Sequence, residues 1–398
     1  MTLRPVDEVV DQLMGLVKPT VKTELRTLDN ALNCCAAKDI QSPVNVPPAD
    51  NSAMDGYAIA YADVSPQASY RVSARIPAGY VGSSLAPGTV ARIFTGAEIP
   101  TGADTVVMQE NTARDGDAVK LLSLPDQFEN VRSKGQDIEA GSLIVRKGDL
   151  LSARTIGLVA SVGVAEVEVA TPLRIAIMST GDELVEPGNA VAPGQIYNSN
   201  RYALSAMLRN MGMDVIDLGI VADTPGATEQ ALLEAASLAD CILTSGGVSV
   251  GEEDHVKAAV EKLGKIELWK LSIKPGKPLA YGEVQGVPFF GLPGNPVSTF
   301  VTFHIVARQY LLAMQGRRDF KPFCVTGESD FSFRGGGRRE YLRVQIQNVE
   351  GQTRLTKFPN QGSGIMTSVV WADALAMVEA GQVVQPGDRL TIYPLPLC

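Results

Sequence analysis

Short apolar strands alternate with amphipathic helical segments between residues 173 and 315. The strand-like run LRIAIMST, residues 173–180, and the helical run SNRYALSAMLRNM, residues 199–211, show the pattern at its clearest. Strands that alternate with helices of this length are typical of βαβ units, so the pattern predicts a mainly parallel α/β domain. Ligands bind at the carboxyl ends of the strands in such sheets, and we expect site residues there.

The rest of the chain lacks this alternation. Residues 46–140 contain short alternating segments between prolines and glycines, which predicts a β-rich inserted domain, and the tail predicts a β-barrel-like domain. Residues 21–45 show a short helical pattern, and residues 141–170 read as strand, turn, helix and strand. The predicted units are an N-terminal helix, 1–22, packing with the α/β domain; a small linking domain, 23–45 with 141–171; the inserted domain, 46–140; the α/β domain, 172–318; and the terminal domain, 319–398.

Composition narrows the class of protein. The 398 residues are 45% hydrophobic and 20% charged, as in a folded globular chain. A formal net charge of −9, spread along the chain, argues against binding to nucleic acid or to an anionic membrane. The five cysteines have no CxxC spacing, and no apolar run approaches the ~18 residues of a membrane span. We therefore expect a cytoplasmic protein.

Three loops at predicted strand ends carry the candidate chemistry: STGDELVEPG, residues 179–188; LTSGGVSVGEEDH, residues 243–255; and LPGNPVS, residues 292–298. A glycine turn before a helix binds phosphate through its free N–H groups and the helix dipole. A bare carboxylate would repel that phosphate, yet Glu183 and Asp254 lie in these loops. Mg²⁺ resolves the conflict, because it binds carboxylates together with phosphates. The alternatives are that Asp254 only caps the next helix and that Glu252 is a solvated surface residue.

Further candidates are weaker when taken alone. WKLSIKPGKP, residues 269–278, gathers three lysines that suit phosphate oxygens, although a solvated hairpin would look the same. In the β-rich region, Asp55 and Thr95 stand in turn-rich segments. His255 and His304 are the only histidines, which gives little support to a hydrolase triad, and neither a P-loop nor a Rossmann glycine motif occurs.

Six motifs occur here in the order seen in one known family: NSAMDGYAI, FTGAEIPTGADTVVMQE, STGDEL, TSGGVSVGEEDH, IKPGKP and GLPGNPVS. On these motifs the chain resembles the MoeA family, which is also related to the C-terminal domain of gephyrin. The resemblance implies a four-domain, elongated homodimer with a MogA-like α/β domain. It also implies a molybdopterin molybdenumtransferase that inserts molybdate into adenylyl-molybdopterin and releases AMP with the help of Mg²⁺.

The resemblance also implies roles for individual residues. Glu183 and Asp254 become metal ligands, and Asp55 and Thr95 approach the site from the partner subunit. Arg338, Arg339, Arg343 and Ser363 are weaker candidates for binding oxyanions, as is Asp137 for the active site. The catalytic set is Asp55, Thr95, Glu183, Asp254, Lys270 and Lys274. The cofactor-binding set is Thr180, Gly181, Asp223, Ser245, Gly246, Gly247, Ser249, Lys277, Pro293, Gly294 and Asn295.

The implied partners are a molybdopterin adenylyltransferase upstream and molybdenum enzymes or their chaperones downstream. Two rival functions remain open from sequence. One is a related adenylyltransferase or CinA-like enzyme, which shares a strand followed by a Gly-Gly turn. The other is a gephyrin-like scaffold that binds partner peptides.

Overall fold

The computed structural model describes residues 3–20, 22–247 and 255–395. Its helices are α1 Val6–Leu16, α2 Ala153–Ser161, α3 Ser199–Asn210, α4 Pro225–Leu238, α5 His255–Leu263, α6 Pro296–Thr302, α7 Arg308–Met314 and α8 Met366–Trp371. Its strands are β1 Thr23–Thr27, β2 Ile40–Gln41, β3 Asn51–Ser52, β4 Gly56–Ile59, β5 Ser69–Ile76, β6 Thr89–Ile93, β7 Thr105–Met108, β8 Thr112–Asp115, β9 Ala118–Leu121, β10 Val131–Arg132, β11 Leu143–Val145, β12 Glu166–Ala170, β13 Arg174–Thr180, β14 Leu184–Val185, β15 Ile196–Tyr197, β16 Asp214–Val221, β17 Cys241–Ser245, β18 Gly264–Lys270, β19 Ile273–Lys274, β20 Pro278–Val284, β21 Val287–Leu292, β22 Val325–Ser329, β23 Phe333–Arg334, β24 Arg339–Val349, β25 Gln352–Lys357, β26 Ala374–Val378, β27 Val383–Val384 and β28 Arg389–Pro394.

The α/β domain is built on a six-stranded sheet in the order β16-β13-β17-β21-β20-β18. The first four strands are parallel, while β20 and β18 run antiparallel to their neighbours. β17 is buried along its whole length, as expected for a strand with helices on both faces. This confirms the predicted mainly parallel α/β domain.

The two faces of this sheet bury separate apolar clusters. On one face, Val9 and Leu13 of α1 pack with Leu243 and with residues of α7 such as Leu311. On the other face, Leu232 of α4 packs with residues of α5 and β21. The helix at the start of the chain is therefore part of the α/β core.

The C-terminal strands close into a barrel. They follow the order β24-β25-β22-β28-β26, and β26 pairs back with β24, so five strands complete the ring. The short strand β19 joins the outside of this ring in parallel with β24. The predicted barrel-like terminal domain is confirmed, and β19 ties it to the α/β unit.

A second six-stranded sheet, β7-β4-β6-β5-β9-β8, is formed within the region predicted to be an inserted β-rich domain. On either side of it in sequence, β1 pairs with β12 and β2 pairs with β11. The exact domain boundaries stay a prediction. The predicted α-helix within residues 21–45 is wrong: β1 is extended and is followed by a 3-10 turn, Leu28–Asn30.

No helix within the described ranges is both long and apolar enough to cross a membrane.

The continuous helical run from α6 to α7 is interrupted by a π-helical segment, Phe303–Ala307. This segment places His304 in a stack on Phe300 with 4.9 Å between ring centres. Burial, and secondarily the charge of Arg308, lower the pKa of His304 from 6.5 to about 4.

This histidine should make stability depend on pH in a definite direction. Between pH 6.5 and about 4 the unfolded chain binds a proton at His304 that the folded protein does not. Stability is therefore fully present above pH 6.5 and falls as the pH drops, by about 2 kcal/mol at pH ~5 for this one group. We expect the melting temperature of His304→Gln to fall less than that of the wild type between pH 7 and pH 5. Equal falls would contradict this assignment.

Candidate active site

Three loops meet at the end of the α/β sheet where the parallel strands have their carboxyl ends. They follow the parallel strands β13, β17 and β21, and with the start of α3 they enclose a cavity of about 610 Å³. The described residues that line it are Thr180, Glu183, Leu184, Ile196, Tyr197, Asn198, Ser199, Asn200, Ser245, Gly246, Gly294, Asn295, Pro296, Gly364 and Met366. The predicted convergence of the loops is thus present in the fold.

Direct hydrogen bonds hold the loops together. The N–H of Gly246 donates to the carbonyl oxygen of Leu292 at 3.1 Å, which joins the second loop to the third. The Nδ2 of Asn200, at the start of α3, donates to the carbonyl oxygen of Gly294 at 2.7 Å. The second loop, the third loop and the start of α3 are therefore connected.

The turn after β17 needs its glycines. Gly246 and Gly247 have φ values of 91° and 65°, in the region that other residues rarely adopt. A Cβ on Gly247 would lie only 2.7 Å from Oγ1 of Thr180 and 2.5 Å from Cγ2 of Val256. The close approach of this turn to β13 and α5 therefore excludes a side chain.

The floor of the cavity is a small polar network. The hydroxyl groups of Ser179 and Ser245 lie 3.2 Å apart, and Ser179 also donates to Oδ1 of Asn198 at 3.4 Å. The same Oδ1 accepts the backbone N–H of Arg201 at 3.4 Å, so Asn198 caps α3. Ser179 and Ser245 meet because they lie at the ends of the neighbouring strands β13 and β17, and the start of α3 brings Asn198 to them.

The terminal barrel supplies one wall. Gly364 and Met366 line the cavity from the segment around α8. The N–H of Val297, in the first turn of α6, donates to the carbonyl oxygen of Ser363 at 3.0 Å and fixes this segment in place. The cavity is consequently shared between the α/β unit and the barrel.

Only one described lining residue, Glu183, is charged, and no lysine or arginine lines the cavity within the described part of the chain. The Glu183 carboxylate lies against Gly181, where a Cβ would come within 2.5 Å of Oε2. Gly181 has a φ of 143°, and because it has no side chain the Glu183 carboxylate can pack against its backbone. The acid is thus held at the cavity by the geometry of the GDEL turn.

Comparison with known proteins gives a consistent result along the whole chain. Residues 4–163 match the MoeA N-terminal region (domain I and II), residues 176–313 match a probable molybdopterin binding domain, and residues 329–395 match the MoeA C-terminal region (domain IV). The molybdopterin molybdenumtransferase of Haemophilus influenzae is 37% identical over 98% of both chains. The chain belongs to the MoeA family.

Two further similarities extend this membership. The molybdopterin molybdenumtransferase of a Nostoc species is 35% identical over 100% of this chain and 94% of its own. A crystal structure of the molybdopterin biosynthesis MoeA protein from Pyrococcus horikoshii superposes with a TM-score of 0.79 at 30% identity, covering 99% of both chains. The MoeA fold is therefore shared along the full length of the chain.

The cavity is lined by six of the residues predicted from sequence: Thr180, Glu183, Ser245, Gly246, Gly294 and Asn295. Gly181 and Gly247 adjoin it. Pro293 does not line it, although the Thr299 hydroxyl donates to the Pro293 carbonyl oxygen and shapes the loop. Asp223 follows β16 at the same sheet edge but does not line the cavity. Ser249 and Asp254, with Glu252, lie outside the described residues.

The predicted lysines occupy a neighbouring position. Lys270, Lys274 and Lys277 do not line this cavity, and Lys274 forms an ion pair with the buried Glu340 of the barrel at 3.1 Å. Their loop is nevertheless close, because Gly276 packs against Thr302 of α6. The functional roles given to these lysines stay predictions.

Asp55 and Thr95 form a pair on the inserted β-sheet. Oδ1 of Asp55 accepts the N–H of Thr95 at 2.8 Å and its hydroxyl at 2.9 Å. These two hydrogen bonds, the backbone one first, hold the pKa of the Asp55 carboxyl below its usual range. Asp55 is therefore an ionised acceptor that is fixed in place and reachable from solvent.

The weaker candidates in the barrel have protein partners. Arg339 binds Asp7 of α1 through both terminal nitrogens, at 2.7 and 2.9 Å. Arg343 is buried and donates to the Ser368 hydroxyl and to the carbonyl oxygens of Tyr341 and Gly362. Arg338 donates to the carbonyl oxygen of Ile273 at 2.9 Å. These contacts tie the barrel to α1, β19 and its own loops.

Sequence reasoning missed the segment Ile196–Asn200 and the barrel residues Gly364 and Met366. A signal for the first was present, because Asn198 precedes a strong helical pattern and fits an N-cap at the edge of the sheet. The barrel segment is far away in sequence and had no comparable signal.

Gly247→Ala tests the need for glycine in the turn. The alanine Cβ would collide with Thr180 and Val256 at a positive φ, which costs about 1–2 kcal/mol from the backbone alone. We expect a lower melting temperature and loss of ligand affinity. Gly157→Ala, in α2 with open space around it, is the matched control and should be neutral or stabilising. Wild-type behaviour of Gly247→Ala would contradict the proposed packing.

Proposed function

We propose that this protein is a molybdopterin molybdenumtransferase that inserts molybdate into adenylyl-molybdopterin and releases AMP. The observation that carries the proposal is the set of glycine loops converging on one cavity in a full-length MoeA-family chain. The Haemophilus influenzae and Nostoc relatives, which match along the full length, are named molybdopterin molybdenumtransferases, whereas a CinA-like enzyme or a pure scaffold has no comparable support. A cytoplasmic location remains part of the proposal.

The phosphates of the substrate would bind at the turn formed by Gly246 and Gly247. A positive-φ glycine pair has no side chain in the way and lets a phosphate approach the backbone closely, while the N–H of Gly246 itself is already bonded to the carbonyl oxygen of Leu292. Lys270, Lys274 and Lys277 lie in a loop that packs on α6, which begins at the third cavity loop. A modest movement of long lysine side chains would add positive charge to the phosphate region.

The residues present fit a Mg²⁺ ion in their donor chemistry. The Glu183 carboxylate and the hydroxyls of Thr180 and Ser245 are hard oxygen donors at the cavity. Glu183 and Asp254 would hold the ion, which when bound supplies charge neutralisation at the phosphate oxygens. Mg²⁺ commonly keeps several ligands from water and substrate phosphates, so few protein ligands are required.

The mechanism is then one of position and electrostatics. Backbone donors fix the pyrophosphate, the cavity orients the pterin part, and molybdate is brought to the dithiolene as the second substrate. The pyrophosphate bond is broken by an oxygen nucleophile from water or from molybdate, with AMP as the leaving group, so no protein nucleophile is required. The described cysteines do not line the cavity, which agrees with sulfur being supplied by the substrate.

The site is proposed to be completed by a second subunit. Asp55 and Thr95 lie on the inserted sheet, and no residue of that sheet lines the cavity of its own chain. An active site that uses both sets of residues therefore fits a homodimer in which the partner supplies the Asp55–Thr95 pair. Upstream adenylyltransferase and downstream molybdenum enzymes or chaperones are the expected partners of such an activity.

Glu183→Gln tests the proposed metal site. Removing the charge while keeping the shape should lower Mg²⁺-dependent AMP release from adenylyl-molybdopterin by about 10- to 100-fold and raise the Mg²⁺ concentration required. AMP is measured by chromatography with and without Mg²⁺ and molybdate. Glu234→Gln, on the exposed face of α4, is the matched control and should match the wild type. An unchanged Mg²⁺ requirement in Glu183→Gln would remove Glu183 from the metal site.

Subunit complementation tests the shared site. Asp55→Asn and Glu183→Gln should each be nearly inactive as pure dimers. Co-expressed with different tags and purified through both, mixed dimers carry one intact site of two, so about half of wild-type activity is expected. Mixed dimers no more active than either parent would show that each site forms within one subunit.

A further inference from the structure

Asn198 has a donor without a partner. Its side chain is only 1% exposed and lines the cavity at the start of α3. Its Nδ2 group has no hydrogen-bond partner within the described part of the chain. Buried polar groups are nearly always hydrogen-bonded, so a buried free donor in a cavity wall points to a ligand.

The orientation of the amide is fixed by the groups around it. Oδ1 of Asn198 accepts the backbone N–H of Arg201 and the hydroxyl of Ser179, both at 3.4 Å. With the amide reversed, its NH₂ group would face the Arg201 N–H, donor against donor. The acceptor is therefore turned towards the protein and the donor away from these two groups.

Arg201 is itself held firmly. Its Nε lies 2.8 Å from both carboxylate oxygens of Asp217, and its Nη1 lies 2.7 Å from Oε1 of Glu186. The hydroxyl of Tyr202 donates to Oε2 of the same Glu186 at 2.9 Å. This ion cluster ties the first turn of α3 to β16 and to the segment after β14, so Asn198 is presented on a rigid support.

The surroundings of Asn198 suit an uncharged ring better than a phosphate. Hydroxyl and amide groups form the floor, and apolar side chains such as Ile196 and Met366 form part of the wall. The one charged group among the described lining residues is the carboxylate of Glu183. The wall around Asn198 can enclose a flat heterocycle and hydrogen-bond its edge, and no described lysine or arginine lines this end of the cavity to accompany a phosphate.

We propose that Asn198 is a specificity-determining residue whose Nδ2 donates a hydrogen bond to a ring carbonyl or ring nitrogen of a neutral heterocycle. The inference rests on the proposed function, since the adenylylated pterin offers two such rings, the pterin and the adenine. The phosphates lie towards Gly246 and Gly247, and the ring lies towards Asn198 in the same cavity.

Asn198→Asp tests this contact. The aspartate keeps the helix cap and the shape but replaces the donor by an acceptor. The probes are free pterin, adenosine and inorganic phosphate, each titrated by fluorescence or calorimetry. We expect the affinity for one heterocycle to fall by at least about tenfold in both Asn198→Asp and the uncharged Asn198→Ser, with phosphate affinity unchanged in Asn198→Ser. Lowering the pH should restore part of the loss, because a protonated aspartate can donate.

Two further variants keep the result interpretable. Asn198→Ser retains a favourable N-cap and removes the long donor, so it serves if the aspartate does not fold. Asn348→Asp, at the exposed turn where Oδ1 accepts the Gly351 N–H, is the matched control and should bind all three probes as the wild type does.

The three probes show which ring binds at Asn198 and which results contradict the proposal. A loss confined to pterin or to adenosine identifies which ring binds at Asn198. Three results would overturn the inference. The first is a wild type that binds neither pterin nor adenosine. The second is wild-type affinity for both rings in the variants, and the third is a loss of affinity for phosphate alone in the variants. Binding is measured without turnover, so wild type that binds a ring but releases no AMP would instead count against the proposed function.

Discussion

The parallel pairing of β13 with β17 and of β17 with β21 is the constraint on which the site depends. Because the three strands run in the same direction, the loops after Thr180, Ser245 and Leu292 must leave the sheet at one edge. Any antiparallel arrangement would send one loop to the opposite end of the domain. The cavity, its glycine turn and the Glu183 carboxylate all follow from that common direction. β20 and β18 run antiparallel to their neighbours, and they lie at the far side of β21.

Two attachments convert this sheet edge into an enclosed site. The barrel contributes a wall because β19 pairs with β24, and because Arg339 joins the barrel to Asp7 on α1. The ion pair of Lys274 with the buried Glu340 lies at the same junction, since both residues belong to the β19–β24 pairing. The ion pair therefore helps to hold the barrel against the α/β unit.

The sequence predicted the α/β pattern and the barrel well because both depend on local periodicity and on turn residues that act within a few positions. The same reasoning placed the residues of three loops, since each follows a strand of recognisable pattern. It failed for residues 21–45, where a short helical pattern was read but residues 23–27 form a strand paired with β12. Tertiary pairing decided that segment, and no local signal reports it. Gly364 and Met366 were missed for a related reason: their place in the cavity wall depends on how the barrel docks.

The division of chemistry within the cavity follows from the same geometry. A strand end offers backbone donors where a glycine turn follows, as at Gly247, and side-chain donors where a helix begins with a capping residue, as at Asn198. The first kind suits a phosphate, which accepts from several N–H groups at once. The second kind suits a single directed contact, because the capping oxygen is already used by the helix and only the amide nitrogen remains. One sheet edge can therefore hold a ligand that carries both a phosphate group and a neutral ring. Backbone N–H groups recognise the phosphate, and a side-chain amide recognises the ring.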